Sequence, residues 1–160
     1  MRALVIMPTY NERENLEPLV RAVLHAAPSV DVLVVDDASP DGTGDVATAL
    51  SRETGRVSLL RREGKQGLGT AYVAGFRYAL SRPYDLVVEM DADGSHRPKD
   101  LPRLLQAATD GADVVVGSRN VPGGRIEGWS PLRHAISKGG SRYARAILGI
   151  PLRDCTSGFK

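Results

Sequence analysis

Apolar residues in this chain come in short solid runs, separated by stretches where they recur every three or four positions. The runs at residues 3–7, 32–35, 57–60, 86–90 and 113–116 are of strand length and lack sustained apolar–polar alternation. They predict five strands covered on both faces. After the first run, Leu16, Leu19, Val20, Val23, Leu24 and Ala27 follow helical spacing. Asn15 is the expected N-cap there, because it puts Pro18 in the first turn, where a missing N–H is harmless. Pro28 stops that helix. Ser39-Pro40-Asp41-Gly42 reads as a turn, and Val46, Ala47 and Leu50 mark a short helix closed by Gly55. A third helix is expected over residues 70–81. Asp100 is a plausible N-cap for a fourth, which carries Leu101, Leu104, Leu105 and Ala108 and ends at Gly111. Beyond a glycine-rich loop at 120–129, Ser130-Pro131 suits a helix start. Leu132, Ala135, Ile136, Tyr143 and Ile147 continue it to Gly149-Ile150-Pro151.

Strand and helix signals thus alternate, which predicts an α/β fold with a mainly parallel sheet sandwiched between helices. With 160 residues, 42% of them hydrophobic, the chain can build one sizeable core rather than two. A single domain over residues 1–160 is expected. Net charge is +2, and nothing in its distribution calls for nucleic acid. The segment from Arg119 onward is different: it holds eight Lys or Arg residues against Glu127 and Asp154. That excess suits either a solvated face or an anionic partner, such as a phosphate or an anionic lipid surface. Cys155 is the single cysteine, which excludes an intramolecular disulfide and a cysteine-built zinc cluster. No window approaches the about 18–20 consecutive apolar residues of a membrane span, so a soluble or peripheral protein is expected.

The chemistry-bearing residues sit where strands end. Asp91-Ala92-Asp93 follows the run at 86–90, and Asp36-Asp37 follows the run at 32–35. Two carboxylates two residues apart can reach one hard cation, Mg²⁺ or Mn²⁺, whose remaining ligands come from phosphate oxygens and water. In open α/β sheets, ligands bind beyond the carboxyl ends of the strands. The turn after the first strand is Pro8-Thr9-Tyr10-Asn11-Glu12, without the glycine fingerprint of a dinucleotide-binding dehydrogenase. Gly67-Leu68-Gly69 lacks a third glycine, and no phosphate-binding P-loop is present. A nucleotide must therefore be held by acids, an aromatic or aliphatic wall and a metal.

Taken together, these segments resemble the family 2 glycosyltransferases of GT-A (Rossmann-like) fold, and more narrowly the dolichol-phosphate or polyprenol-phosphate mannose synthases. The residues that carry the resemblance are Met7-Pro8-Thr9-Tyr10-Asn11-Glu12-Arg13-Glu14-Asn15, Val35-Asp36-Asp37-Ala38-Ser39-Pro40-Asp41-Gly42-Thr43 and Met90-Asp91-Ala92-Asp93-Gly94-Ser95-His96. Gly67-Leu68-Gly69-Thr70-Ala71-Tyr72, Gly117-Ser118-Arg119, Gly128-Trp129-Ser130 with Arg133 and Ser137, and Asp154-Cys155-Thr156-Ser157-Gly158-Phe159 add to it in collinear order.

The resemblance implies that Pro8, Tyr10, Glu12, Val35 and Asp37 form the pocket for a guanosine-diphosphate sugar, with Ala92 lining the nucleotide site. It implies that Asp91 and Asp93 hold Mg²⁺ or Mn²⁺, with Ser95 as a weaker, water-mediated ligand. His96 is expected to support or pack the loop rather than to bind. Arg119, Arg133 and Ser137 match positions that hold phosphates of the donor or of a lipid acceptor. Arg133 and Ser137 are four apart and so share one helix face. The implied reaction is metal-dependent, inverting transfer of mannose from GDP-mannose to polyprenyl or dolichyl phosphate, at the cytoplasmic face of a membrane. UDP-glucose or another nucleotide sugar is the alternative donor. A sugar-1-phosphate nucleotidyltransferase is disfavoured by the absence of a glycine- and arginine-rich loop after the first strand. A non-catalytic nucleotide-sugar-binding module stays open. The sequence stops at Gly158-Phe159-Lys160, inside a motif of that family, and is expected to be a catalytic core whose acceptor side begins near residue 119.

Overall fold

The computed structural model describes residues 1–118, 131–149, 154 and 157–160. Four strands, β1 (Ala3–Thr9), β2 (Val30–Asp36), β3 (Val57–Arg61) and β4 (Leu86–Glu89), form one sheet in the order β3-β2-β1-β4. Every pair is parallel: Thr9 lies beside Asp36, Asp36 beside Arg61, and Ile6 beside Glu89. Connections run through α1 (Arg13–Ala26), α2 (Thr43–Thr54) and α3 (Leu68–Leu80). After β4 come α4 (Leu101–Thr109) and α5 (Pro131–Leu148).

The pleat sorts side chains between two helix layers. Val5, Met7, Val32 and Val34 pack with Leu16, Val20, Val23, Ala47 and Leu101 on the face covered by α1, α2 and α4. Leu4, Ile6, Leu33 and Val35 pack with Ala71, Tyr72 and Ala79 on the opposite face, under α3. Both faces are thus dry, which accounts for strands without alternation. Helix α3 approaches β1 so closely that a Cβ on Gly75 would lie 2.6 Å from Ile6 Cγ2. Gly75→Val should therefore lower stability by about 1–3 kcal/mol through overpacking, read as a lower urea midpoint at unchanged slope.

Two expectations need correcting, and a third holds only in part. Helix α1 starts at Arg13, with Glu12 rather than Asn15 at the cap position, and Pro18 lies inside it. The reason is tertiary. Ser39 Oγ accepts from Asn11 N at 3.0 Å, Thr43 Oγ1 from Glu12 N at 3.0 Å, and Asp41 Oδ2 from Arg13 N at 3.1 Å. These acceptors satisfy N–H groups that the local sequence leaves orphaned, so the helix begins a turn early. Asn15 instead donates its side-chain amide to Glu12 Oε2 at 2.8 Å.

Asp100 does stand at the N-cap position of α4, as expected, but its side chain makes no cap bond, because a 3₁₀ turn over Pro98–Asp100 runs straight into the helix. Its carboxylate takes Arg97 Nε at 3.0 Å.

The run at 113–116 forms no strand. Beside the end of β4 stands the C-terminal segment: Glu89 and Lys160 exchange backbone hydrogen bonds at 2.6 and 3.3 Å, and Gly117 N donates to Phe159 O at 2.8 Å. With Phe159 and Lys160 between them, Gly117 does not reach β4.

Candidate nucleotide and metal site

The sheet order sets the place of the site. The chain moves from β1 outward through β2 and β3, then returns to the other side of β1 as β4. Such a reversal leaves a crevice at the carboxyl ends, where the loops of adjacent strands part. The loops at 8–12, 36–42 and 90–96 all leave from that edge.

The acidic pair after β2 divides its labour. Asp36, 1% exposed, accepts from Thr9 Oγ1 at 3.1 Å and from Ser39 N and Oγ at 3.1 and 2.5 Å. These bonds hold Ala38 at φ +53°, a left-handed conformation that a residue with a Cβ adopts only when its surroundings enforce it. Asp36 shapes the loop. Asp37 is taken by Arg62, just beyond β3. The guanidinium is bidentate, with Nε 2.5 Å from Oδ1 and Nη2 2.8 Å from Oδ2, and Gln66 N donates to Oδ2 at 3.0 Å. Burial opposes ionisation of Asp37, but the Arg62 and Gln66 donors outweigh it and hold the carboxyl below the usual aspartate range. Arg62 Nη1 also donates to Thr70 Oγ1 at 2.9 Å, tying the pair to the start of α3.

Tyr10 is exposed, and Lys65 Nζ stands 4.1 Å from its ring centroid. Pro8 and Glu12 are half-buried at the same edge. Val35 and Ala92, expected to line the nucleotide pocket, are 0% and 2% exposed. The pleat of β2 turns Val35 into one core and the turn after β4 buries Ala92 in the other, so only their backbone is available to a ligand.

Asp91 and Asp93 differ in surroundings as well. Asp91 is half-buried, with Tyr72 Oη donating to Oδ1 at 2.9 Å and His96 Nε2 3.3 Å from Oδ2. The hydrogen bond from His96, followed by that from Tyr72, outweighs burial and holds Asp91 below the ordinary aspartate value. Burial and the neighbouring Asp91 charge push the Tyr72 phenol far above the ordinary tyrosine value, so it remains a donor. Asp93 is exposed; its Oδ1 accepts from Ser95 N at 2.9 Å across Gly94, which has φ +76°. Oδ2 takes no hydrogen bond from the described residues. Ser95 is exposed beside it.

His96 packs its ring on Phe159, with centroids 5.3 Å apart and 28° between planes. That placement agrees with its expected packing role. Ser137 is half-buried on α5. Arg119, Trp129, Ser130 and Cys155 lie outside the described residues, as does the side chain of Arg133. Arg62, Lys65, Tyr72 and Gly158 were not singled out from sequence. Arg62 carried a signal, its place at the carboxyl end of a strand; Tyr72 and Gly158 lay in motifs without an assigned role.

A parallel sheet with acids gathered at a carboxyl-edge crevice is the GT-A glycosyltransferase architecture. Glucosyl-3-phosphoglycerate synthase from Mycobacterium tuberculosis shares it at TM-score 0.70 and 21% identity, over 98% of this chain and 54% of that one. A Pyrobaculum calidifontis mannosyltransferase, solved with GDP-Man and Mn²⁺, superimposes at TM-score 0.58 and 28% identity, over 72% of this chain and 33% of that one. The chain belongs to glycosyl transferase family 2, whose model matches residues 4–160. Among its curated relatives, an undecaprenyl-phosphate mannosyltransferase from Micrococcus luteus is 54% identical over all of this chain and 65% of its own length. A polyprenol monophosphomannose synthase from Mycolicibacterium smegmatis is 52% identical over 99% of this chain and 60% of its own length. The chain therefore spans under two thirds of the length of these relatives.

Proposed function

We propose that this chain carries the donor site of an inverting, divalent-metal-dependent transferase that moves mannose from GDP-mannose to a polyprenyl phosphate. The observation that carries this reading is the identity of more than half its residues to two transferases named for mannose and polyprenyl phosphates. Pro8, Tyr10, Glu12 and Asp37 would meet the guanosine side of the donor. Asp91 and Asp93 offer hard oxygen donors of the kind Mg²⁺ and Mn²⁺ prefer. Among the described residues no group of three or more His, Cys, Asp or Glu could enclose a metal. Two carboxylates make a partial shell, which suits a cation shared with the diphosphate. When bound, the cation would offset charge on the departing diphosphate.

The acceptor's phosphate is already an anion near neutral pH and needs no general base. Holding it near a second anion requires cations: Arg119 and Arg133 are proposed for that task, with the Ser137 hydroxyl as a neutral donor. Guanidinium groups suit it because each can hold two phosphate oxygens. A single in-line displacement inverts the anomeric carbon. The prenyl tail places the reaction at a bilayer surface, proposed as the cytoplasmic face. No described helix is long and apolar enough to cross a membrane.

The test is transfer of radiolabelled mannose from GDP-mannose to polyprenyl phosphate, with UDP-glucose as the competing donor. Label from GDP-mannose alone in the lipid fraction is expected; transfer only from UDP-glucose overturns the donor assignment. In the same assay, Arg133→Ala should raise the KM for lipid phosphate at least about tenfold, as expected for a charge-assisted phosphate contact, while GDP binding stays unchanged. Loss of GDP affinity with acceptor dependence intact would move Arg133 to the donor.

A further inference from the structure

Asp91 is held on three sides by groups that lie outside the strand delivering it. Tyr72, on the first turns of α3 and 7% exposed, donates to Oδ1 at 2.9 Å. His96 stands 3.3 Å from Oδ2. Gly158 closes the third side: a Cβ there would lie 2.5 Å from Asp91 Oδ2 and 3.1 Å from His96 Nε2. Any side chain there would have to push the Asp91 carboxylate or the His96 ring out of its present position. The segment carrying Gly158 is itself anchored. Phe159 stacks on His96, Ser157 Oγ donates to Gly117 O at 2.8 Å, and Lys160 Nζ pairs with Glu89 Oε2 at 2.9 Å.

We infer that Tyr72, His96 and Gly158 are positioning residues that fix the Asp91 carboxylate for a cation shared with Asp93. The inference rests on the proposed metal role of these two acids. Each carboxylate oxygen can accept more than one bond, so a donor on one lone pair leaves another free for a metal. Donors to a ligating carboxylate set its orientation, and losing one typically weakens metal affinity about 10–100-fold. Here the donors come from α3 and from residue 96, and the C-terminal segment fixes the residue 96 ring. Cation affinity is thereby coupled to the packing of residues 157–160, far from the metal loop in sequence. The close approach also supplies a reason for glycine at position 158, where φ imposes none.

Calorimetry of GDP binding with and without Mn²⁺ tests this on the 160-residue chain, comparing wild type, Tyr72→Phe, Gly158→Ala and Asp93→Ala. Tyr72→Phe removes one hydroxyl and keeps the ring packed, so it carries the test if Gly158→Ala fails to fold. In Tyr72→Phe, and in Gly158→Ala if it folds, the Mn²⁺-dependent gain in GDP affinity should fall about tenfold or more, with metal-free GDP binding unchanged. A wild-type gain in Tyr72→Phe, alongside its loss in Asp93→Ala, overturns the positioning role and leaves the metal reading standing. A retained gain in Asp93→Ala removes the metal reading and this inference with it. Equal loss of metal-free and metal-dependent binding in Tyr72→Phe would mark the contacts as structural and overturn the inference.

Discussion

Asp93→Ala is expected to abolish nearly all of the gain in GDP affinity that Mn²⁺ or Mg²⁺ supplies. Asp93 is exposed, and its Oδ1 accepts one hydrogen bond from the Ser95 amide at 2.9 Å. Oδ2 takes no hydrogen bond from the described residues and is the oxygen proposed to meet the cation. With Asp91 as the other proposed protein ligand, removing Asp93 halves the carboxylate set. Loss of a residue that merely orients a ligand already weakens metal binding about 10–100-fold. Loss of the ligand itself should reach at least the upper end. Stability should change by no more than about 0.5 kcal/mol, as at other exposed positions. Calorimetry with and without metal, paired with thermal unfolding, reads both quantities. Equal metal dependence in variant and wild type would take Asp93 out of the metal shell.

The second large effect is on stability. Asp37→Ala leaves the Arg62 guanidinium without its partner, and the two side chains are only 9% and 7% exposed. Removing one member of a buried ion pair typically costs about 3–5 kcal/mol, because the remaining charge is stranded. Adding Arg62→Leu should recover part of that loss, and the double-mutant cycle gives the coupling. The same substitution should weaken GDP binding in metal-free buffer, if Asp37 also accepts from the nucleotide. Acid provides an independent check. Asp37 has a depressed folded pKa against about 3.9 unfolded. Its contribution is therefore complete above that unfolded value and is lost as pH falls through the folded one. Asp91 and other depressed carboxylates also contribute below about pH 4, so the fall in stability with acid in urea unfolding should be shallower in Asp37→Ala than in wild type, by Asp37's share. A stability change under about 0.5 kcal/mol in Asp37→Ala would mean that the pair makes no net contribution.

The legible parts of the fold are those with local causes. Near-continuous apolar runs located β1 to β4 because a strand covered on both faces is apolar at most positions rather than at alternate ones. Gly55 ended α2 because its left-handed φ of +63° is cheap only for glycine. Ser130-Pro131 predicted α5, which does begin at Pro131. The motif Asp91-Ala92-Asp93 was readable as a pair of acids at a strand end, and the strand order then put it at the crevice.

Other features had no local cause. Asn15 is a better cap by composition than Glu12, yet the helix starts earlier, because Ser39, Asp41 and Thr43 reach back from another loop. The run at 113–116 has strand composition, but Phe159 and Lys160 stand beside the end of β4. Asp36 and Asp37 are chemically identical in sequence, and only the direction in which the chain leaves β2 gives one to the loop and the other to Arg62.

Hydropathy period and turn chemistry therefore determined the element types and the parallel sheet, since each acts over a few neighbouring residues, and the spacing of acids marked the candidate site; the family was legible through the resemblance of whole motifs. Tertiary structure decided which acid is free, which is paired and which is oriented. Near partners such as Ser39, Ser95 and His96 contribute, but the pairing of Asp37 with Arg62 and the hold of Tyr72 and Gly158 on Asp91 come from 19 to 67 positions away, and no local pattern encodes that separation.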